Sequence, residues 1–242
     1  MSVNNNSKPY DTLIHIGCGA TPNLNEYRAL AKHIWLVDAD SQAIVELQEI
    51  SRTFESVNIL HALVDTEKRS GTFYRYSLNW ANSLAPIDET IQQLYPGLKQ
   101  LDSTQQLTTP IGELVTQCLP ENSEARDTSL LLLDVGCQNA NLLNALESGG
   151  VLSHFAMVIL MPTHRRAQAI TVPYSLHEAT SAPEGLTLPE KSQVLERHPL
   201  LEQLQRCQAD IKQQRGELTQ QLEEAHQKTE NALHQNHLSD YA

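Results

Sequence analysis

Between residues 11 and 176 the chain alternates short apolar runs rich in β-formers with stretches whose apolar residues recur at helical spacing. That alternation is the signature of strands joined by crossover helices, so the expected class is α/β with a doubly wound, mostly parallel sheet. The first unit can be followed closely. Residues 12–16 form an apolar run, Gly17, Cys18 and Gly19 turn the chain, and Thr21 and Pro22 suit an N-cap and a first helical position. Leu24, Tyr27, Leu30, Ala31 and Ile34 keep helical spacing to about His33, and 34–37 reads as a second strand ending at Asp38. Ser41 is expected to cap a second helix with Ile44, Leu47, Ile50 and Phe54 on its apolar face, and 57–64 supplies a third strand.

The pattern loosens further on. Residues 71–78 read as a turn into a strand, and 79–106 is polar with Pro86, Pro96 and Gly97, which predicts an irregular insertion or lid. Residues 130–135 are a near-continuous apolar strand, 141–146 open a helix, and 156–161 and 168–173 read as two strands forming an antiparallel pair at one sheet edge. Ser181, Pro183, Gly185 and Pro189 mark 178–189 as a linker. From Glu190 onward Gln, Glu, Leu and Lys dominate, which predicts a long C-terminal α-helix. Leu204, Ile211, Leu218, Ala225 and Ala232 repeat every seven residues, beside a half-polar seam of Leu201, Gln208, Arg215, Leu222 and Thr229. The expected reading is a coiled coil that makes the chain a homo-oligomer. The anticipated organisation is therefore 1–10 disordered, 11–177 α/β domain, 178–189 linker and 190–242 helix.

Composition narrows the partners. The 242 residues carry 29 acidic against 17 Lys and Arg side chains, a net charge of −12. Such a chain is repelled overall by a nucleic-acid backbone and by an anionic membrane surface, so neither is expected as a partner. No run approaches the ~20 apolar residues of a membrane helix, and residues 1–10 lack the cationic start and apolar stretch of a secretory signal, so a cytoplasmic location is expected. Cys18, Cys118, Cys137 and Cys207 are far apart and form no CxxC, which argues against a metal site.

The corner with chemistry is the strand, glycine turn and helix start at 14–21. Glycines admit close approach of a ligand, and a helix start offers free N–H groups. Asp38 lies 21 residues after Gly17, matching the ~20 at which an acid accepts hydrogen bonds from ribose hydroxyls. Pro22 stands where the dinucleotide fingerprint has its third glycine, which disfavours a pyrophosphate cradle and favours a nucleoside without phosphates. Asp38 as a cap of the following helix is the alternative. His15, between Ile14 and Ile16, reads as a packed histidine, and His164, Arg165 and Arg166 as a solvated loop or a contact for an anionic substrate.

Two segments carry a resemblance. Ile14-His15-Ile16-Gly17-Cys18-Gly19-Ala20 and Trp35-Leu36-Val37-Asp38-Ala39-Asp40 resemble the first two motifs of class I S-adenosylmethionine-dependent methyltransferases. Ala62-Leu63-Val64-Asp65 with Gly71-Thr72-Phe73-Tyr74, then 108–114, then Leu132-Leu133-Asp134-Val135, are similar in order to the FkbM-like branch of that family. The resemblance covers roughly residues 12–160 and implies a Rossmann-like methyltransferase fold with S-adenosylmethionine as cofactor. It further implies Gly17, Cys18, Gly19, Asp38 and Asp65 as cofactor-binding residues, Asp134 as the catalytic carboxylate, and O-methylation of a small molecule or sugar. The chain departs from the pattern at His15, where the family has an acid, and at 136–139, where Gly-Cys-Gln-Asn replaces a segment with two glutamates. Those departures sustain an alternative, a catalytically inactive scaffold that binds a partner or oligomerises through its C-terminal coiled coil. Residues 131–137 also echo the strand and Gly-Cys turn of the first motif, but the strand after them ends in Leu160-Met161-Pro162 with no acid for a ribose.

Overall fold

The computed structural model describes residues 8–119, 128–162, 171–200, 203, 207, 210–223 and 225–226. The chain divides into two units, Met1–Arg197 and His198–Ala242. In the first, β1 (Tyr10–Ile16) leads through α1 (Leu24–Leu30) into β2 (Ala31–Asp38), and α2 (Ser41–Ser51) leads into β3 (Val57–His61). An excursion follows: β4 (Leu63–Asp65), β5 (Ser70–Tyr76), α3 (Glu89–Leu94), β6 (Gln100–Pro110) and α4 (Ile111–Cys118). The chain then returns through β7 (Ser129–Leu133), α5 (Asn139–Ser148), β8 (Phe155–Leu160), β9 (Leu176–Glu178) and β10 (Gln193–Arg197).

Seven strands form one sheet in the order β3-β2-β1-β7-β8-β10-β9, and β4, β6 and β5 form a second, smaller sheet. Within the large sheet β3, β2, β1, β7 and β8 run parallel, while β10 is antiparallel to both β8 and β9. This is the doubly wound, mostly parallel sheet expected. Helices on both faces explain why its central strands are apolar without alternation. In β7, Leu131 and Leu133 join Ile14 and Ile16 of β1 in a cluster with Leu114 of α4 and Leu142, Leu143 and Leu146 of α5. Leu130 and Leu132 face the other way, into a cluster with Leu13, Leu24, Tyr27 and Leu30 of the first unit and Ile44 and Leu47 of α2.

Several expectations are corrected. The first helix is shorter than 21–33: Asn23 occupies its N-cap position, and at Ala31 the backbone is already extended because Ala31 pairs with Tyr10. The second helix is capped by Asp40, whose side chain accepts from the Gln42 N–H at 2.9 Å, rather than by Ser41. The run 57–64 is two strands. Ala62 still donates to the Asp38 carbonyl, after which β4 leaves β2 and pairs with β6 in the other sheet.

The insertion at 79–106 is likewise more regular than expected, because β6 pairs along its length with β5. Most of β6 is exposed and polar, so no apolar period betrays it. Residues 171–173 form no strand, while 168–170 and the basic cluster at 164–166 lie outside the described residues. The antiparallel strand is β10 instead, within the stretch assigned to the long helix. It lies in the sheet because Leu195 is fully buried and pairs with Val158 on one side and Glu178 on the other. The anticipated linker is also packed down: Thr187 donates through its N–H and hydroxyl to the Glu26 carboxylate at 2.7 and 2.8 Å, and Leu186 is buried.

In the second unit residues 210–223 are helical and exposed, with Ile211, Leu218 and Leu222 among them. Leu201, Leu204, Gln208, Thr229 and Ala232 of the heptad pattern lie outside the described residues, as do 1–7 of the expected disordered N-terminus. Tyr10 of that N-terminus is buried in β1. Among the described residues no helix is long and apolar enough to cross a membrane.

The place of β10 generates a test. A chain ending at Arg197 is expected to keep the sheet, whereas one ending at Pro189 loses the strand between β8 and β9 and with it the burial of Leu195, at a cost above ~2 kcal/mol. Urea unfolding followed by circular dichroism compares the two; equal midpoints would remove β10 from the fold's support.

Candidate functional site

The cavity opens where three strand ends meet. Register places Ile16 of β1 beside Val37 of β2 and beside Leu133 of β7. Past Ile16 the chain turns at Gly17, whose φ of +82° lies in the left-handed region open to glycine. The N–H groups of Gly17 and Cys18 both donate to the Val37 carbonyl, at 2.8 and 3.3 Å, and Asp134 N–H donates to the Ile16 carbonyl at 2.8 Å. A Cβ at position 17 would stand 2.3 Å from the Asp134 carbonyl oxygen, so only glycine lets the ends of β1 and β7 come this close. Gly19, at φ +61°, continues the turn and donates its N–H to Asp38 Oδ2 at 2.7 Å.

Asp38 is thus held at the end of β2 by two backbone donors, Gly19 on Oδ2 and Asp40 on Oδ1 at 2.8 Å. Each oxygen keeps acceptor capacity beyond those single bonds. Burial raises the carboxyl above the usual carboxylate range against the pull of those donors. Gly17, Cys18, Gly19 and Asp38 all line a cavity of about 270 Å³, and Asp134 faces it from the end of β7. Asp65 does not. It is buried at the end of β4, where it accepts from Thr66 N–H at 2.8 Å and from Arg69 Nε at 2.8 Å, and so ties down the turn into β5. The structure sets it apart from this cavity and in an ion pair with Arg69, since an acid at a strand end serves whichever cation the fold brings beside it.

Three residues to which the sequence assigned no role also line the cavity: Asp40, Trp80 and Asn82. Asp40 meets Arg75 Nε at 3.3 Å and accepts from Asn82 Nδ2 at 3.3 Å, and Asn82 in turn accepts from Tyr76 N–H at 2.8 Å. The hairpin and the large sheet are pinned together there. The only signal in the sequence was the acid two residues after Asp38, and nothing local pointed to the insertion that supplies its partners.

The charge pattern is one-sided. Among the described residues the cavity is lined by Asp38, Asp40 and Asp134 and by no Lys, Arg or His. Asp134 is open to solvent in the cleft while protein surrounds it on the remaining sides. That burial, and then the Asp38 charge, push its carboxyl up to about 6. Among the described residues no side-chain or backbone donor reaches it. The Cys18 thiol is pushed up by burial and by Asp38, so it stays protonated. His15 stands outside the cavity with Nδ1 3.0 Å from the Tyr27 hydroxyl and Nε2 without a partner; burial lowers it to about 3, which keeps it neutral.

Gly136 and Gln138, from the turn that echoes the first motif, line the same cavity from the β7 side. Asn139, in the segment without glutamates, accepts from Val135 N–H at 3.0 Å and donates to the Met161 carbonyl at 3.1 Å. It clamps the ends of β7 and β8. Among the described residues no group of three or more His, Cys, Asp and Glu is arranged to hold a metal ion.

No family model matches the chain, and no curated protein matches it. Solved structures do. One is a Streptococcus pneumoniae protein described as a candidate tRNA (m1A22) methyltransferase, at TM-score 0.39 and 13% identity over 79% of this chain and 65% of that one. Another is described as an rRNA methylase from Streptococcus thermophilus, at TM-score 0.38 and 9% identity over 78% of this chain and 89% of that one. The chain thus spans about 65% of the length of the first. The exclusion of a nucleic-acid partner is corrected on this finding, since both proteins are described by the RNA they methylate. Net charge is a sum over the chain and does not decide what one face of it meets.

Two substitutions test the geometry. Gly17→Ala is expected to destabilise the fold by at least ~1–2 kcal/mol, from the left-handed backbone alone, before any displacement of β7; its urea midpoint measures this, and a wild-type midpoint would contradict the close approach. Asp134 titrates near 3.9 when unfolded and about 6 when folded, so its ionisation withdraws stability as pH rises between those values. Asp134→Asn is therefore expected to raise the melting temperature at about pH 8 and leave it nearly unchanged at about pH 4.

Proposed function

We propose that the cavity binds S-adenosylmethionine and that the chain is a methyltransferase dependent on it. The observation that carries this reading is the pairing of a half-buried, backbone-anchored carboxylate at the end of β2 with a cleft that no basic side chain lines among the described residues. Phosphate-bearing cofactors call for N–H donors and cations, and a cleft with three carboxylates repels them. A nucleoside whose reactive end is positively charged fits it. Asp38 would hold the ribose hydroxyls, the Gly17–Gly19 turn would let the ligand lie against the backbone, and the bound cofactor would supply a methyl group on a positively charged sulfur.

Asp134 is the carboxylate placed to assist transfer. Its folded value of about 6 suits a base that takes the proton of an acceptor hydroxyl near neutral pH. The finer reading, a hydroxyl of a small molecule or sugar, comes from the FkbM-like resemblance and is supported by a cavity wall of uncharged hydrogen-bonding groups, Asn79, Asn82 and Gln138, beside Trp80. A second reading, binding without transfer, is favoured by Asn139: in the segment where glutamates are missing, its amide is taken up in bonding to the backbone.

Titration calorimetry tests the cofactor reading. Wild-type protein is expected to bind S-adenosylmethionine, and Asp38→Ala to lose ~1–3 kcal/mol of that affinity with the charge-assisted bonds to ribose. Absence of binding in the wild type would end the proposal; unchanged affinity in the variant would remove Asp38 from the site.

A further inference from the structure

The three carboxylates of the cleft are not equivalent. Asp40 is engaged by Arg75, Asn82 and the Gln42 N–H, and Asp38 by two backbone donors. Asp134 has no donor among the described residues, faces the open cavity, and feels the like charge of Asp38. A carboxylate in the wall of a cleft, with no donor among the described residues, attracts a cation brought into the cleft. Among the described residues the cavity lining contains none. A positive centre on the ligand would supply it.

We infer that Asp134 is the counter-charge to the ligand's positive centre, so that the cleft holds S-adenosylmethionine more tightly than its demethylated product S-adenosylhomocysteine. This rests on the cofactor reading above and adds to it a basis for selectivity and for product release. The two molecules share the adenosine and the amino-acid moiety, and differ in one methyl group and in the charge on sulfur. Contacts to the shared parts cancel in the comparison, which leaves the electrostatic contribution of Asp134 exposed. A product whose sulfur is neutral no longer offers the carboxylate that positive charge, and its hold on the site weakens.

The preference must then follow the ionisation of Asp134. The titratable groups that face it are Asp38 from the end of β2, Asp40 in the same cavity, Cys18 from the glycine turn and Tyr27 from α1. Burial keeps the Cys18 thiol and the Tyr27 hydroxyl protonated, and both are neutral throughout the working range. Above about 6 Asp134 is charged and the preference is present; as pH falls below that value Asp134 takes up a proton and the preference is lost.

The experiment is calorimetric binding of three probes to the full-length protein, S-adenosylmethionine, S-adenosylhomocysteine and sinefungin, at about pH 8 and about pH 5. Sinefungin carries an ammonium where the sulfonium stands and cannot transfer a methyl group. At the higher pH both cationic probes are expected to bind on the order of tenfold tighter than S-adenosylhomocysteine, the scale of an opposite charge at short range. At the lower pH the gap closes, and in Asp134→Asn it is absent at both. Equal affinities at the higher pH, or a preference that survives in Asp134→Asn, overturn the inference while leaving the cofactor reading intact. Failure of all three probes to bind overturns both. Should Asp134→Asn not fold, as judged by circular dichroism, the two pH arms on the wild-type protein decide alone.

Discussion

The approach of Gly17 to the backbone of Asp134 is the contact on which the site depends. A side chain at position 17 would strike the Asp134 carbonyl, and the ends of β1 and β7 could not then share the Asp134 N–H to Ile16 carbonyl bond. From β1 the chain goes to α1 on one face of the sheet, and from β7 it goes to α5 on the other. Between those two strands the helices part, and a crevice opens at their carboxyl ends, the place where open α/β sheets bind ligands. The same turn donates twice to Val37, which brings the end of β2, and with it Asp38, to the rim of that crevice.

Electrostatics then decides what the crevice accepts. Among the described residues its charges are all of one sign, yet each is treated differently by its surroundings. Backbone N–H groups hold Asp38, Arg75 offsets Asp40, and Asp134 is left to solvent and ligand. Arg75 itself lies outside the cavity and is shared with Asp102 at 3.1 Å, so its charge is spent on joining the hairpin to the large sheet. The nearby His15 contributes no charge because burial keeps it neutral. Selectivity of this kind needs few residues, since an uncompensated carboxylate in a half-enclosed cleft acts on any charge that enters.

The smaller sheet has a positioning role. It leaves the main sheet at Ala62, returns through β6 and α4, and on the way carries Asn79, Trp80 and Asn82 to the cavity wall. Tyr76, buried at the end of β5, receives the Ile87 N–H on its hydroxyl at 3.0 Å, and Trp80 meets Tyr95 edge to face with ring centroids 5.0 Å apart. Those bonds give a segment that reads as a polar loop a fixed shape beside the site.

The strands over 12–16, 34–38 and 130–133 could be read directly, because a strand buried on both faces is apolar throughout and a glycine turn followed by a strand-end acid is a local pattern. The Gly17 turn and the position of Asp38 belong to that legible part. Where pairing partners are distant and side chains face water, the signal vanishes. β6 is long but polar, and β10 is a five-residue strand amid helix-forming composition, so neither could be told from its own residues. Asp65 and Asp134 look alike in sequence, each an acid at the end of an apolar run. Tertiary structure alone decided that Arg69 would meet the first and that the second would face an open cleft with no donor among the described residues. Local sequence determines which backbone can form, while the charge state and purpose of a carboxylate depend on which groups the folded chain brings within a few ångströms of it.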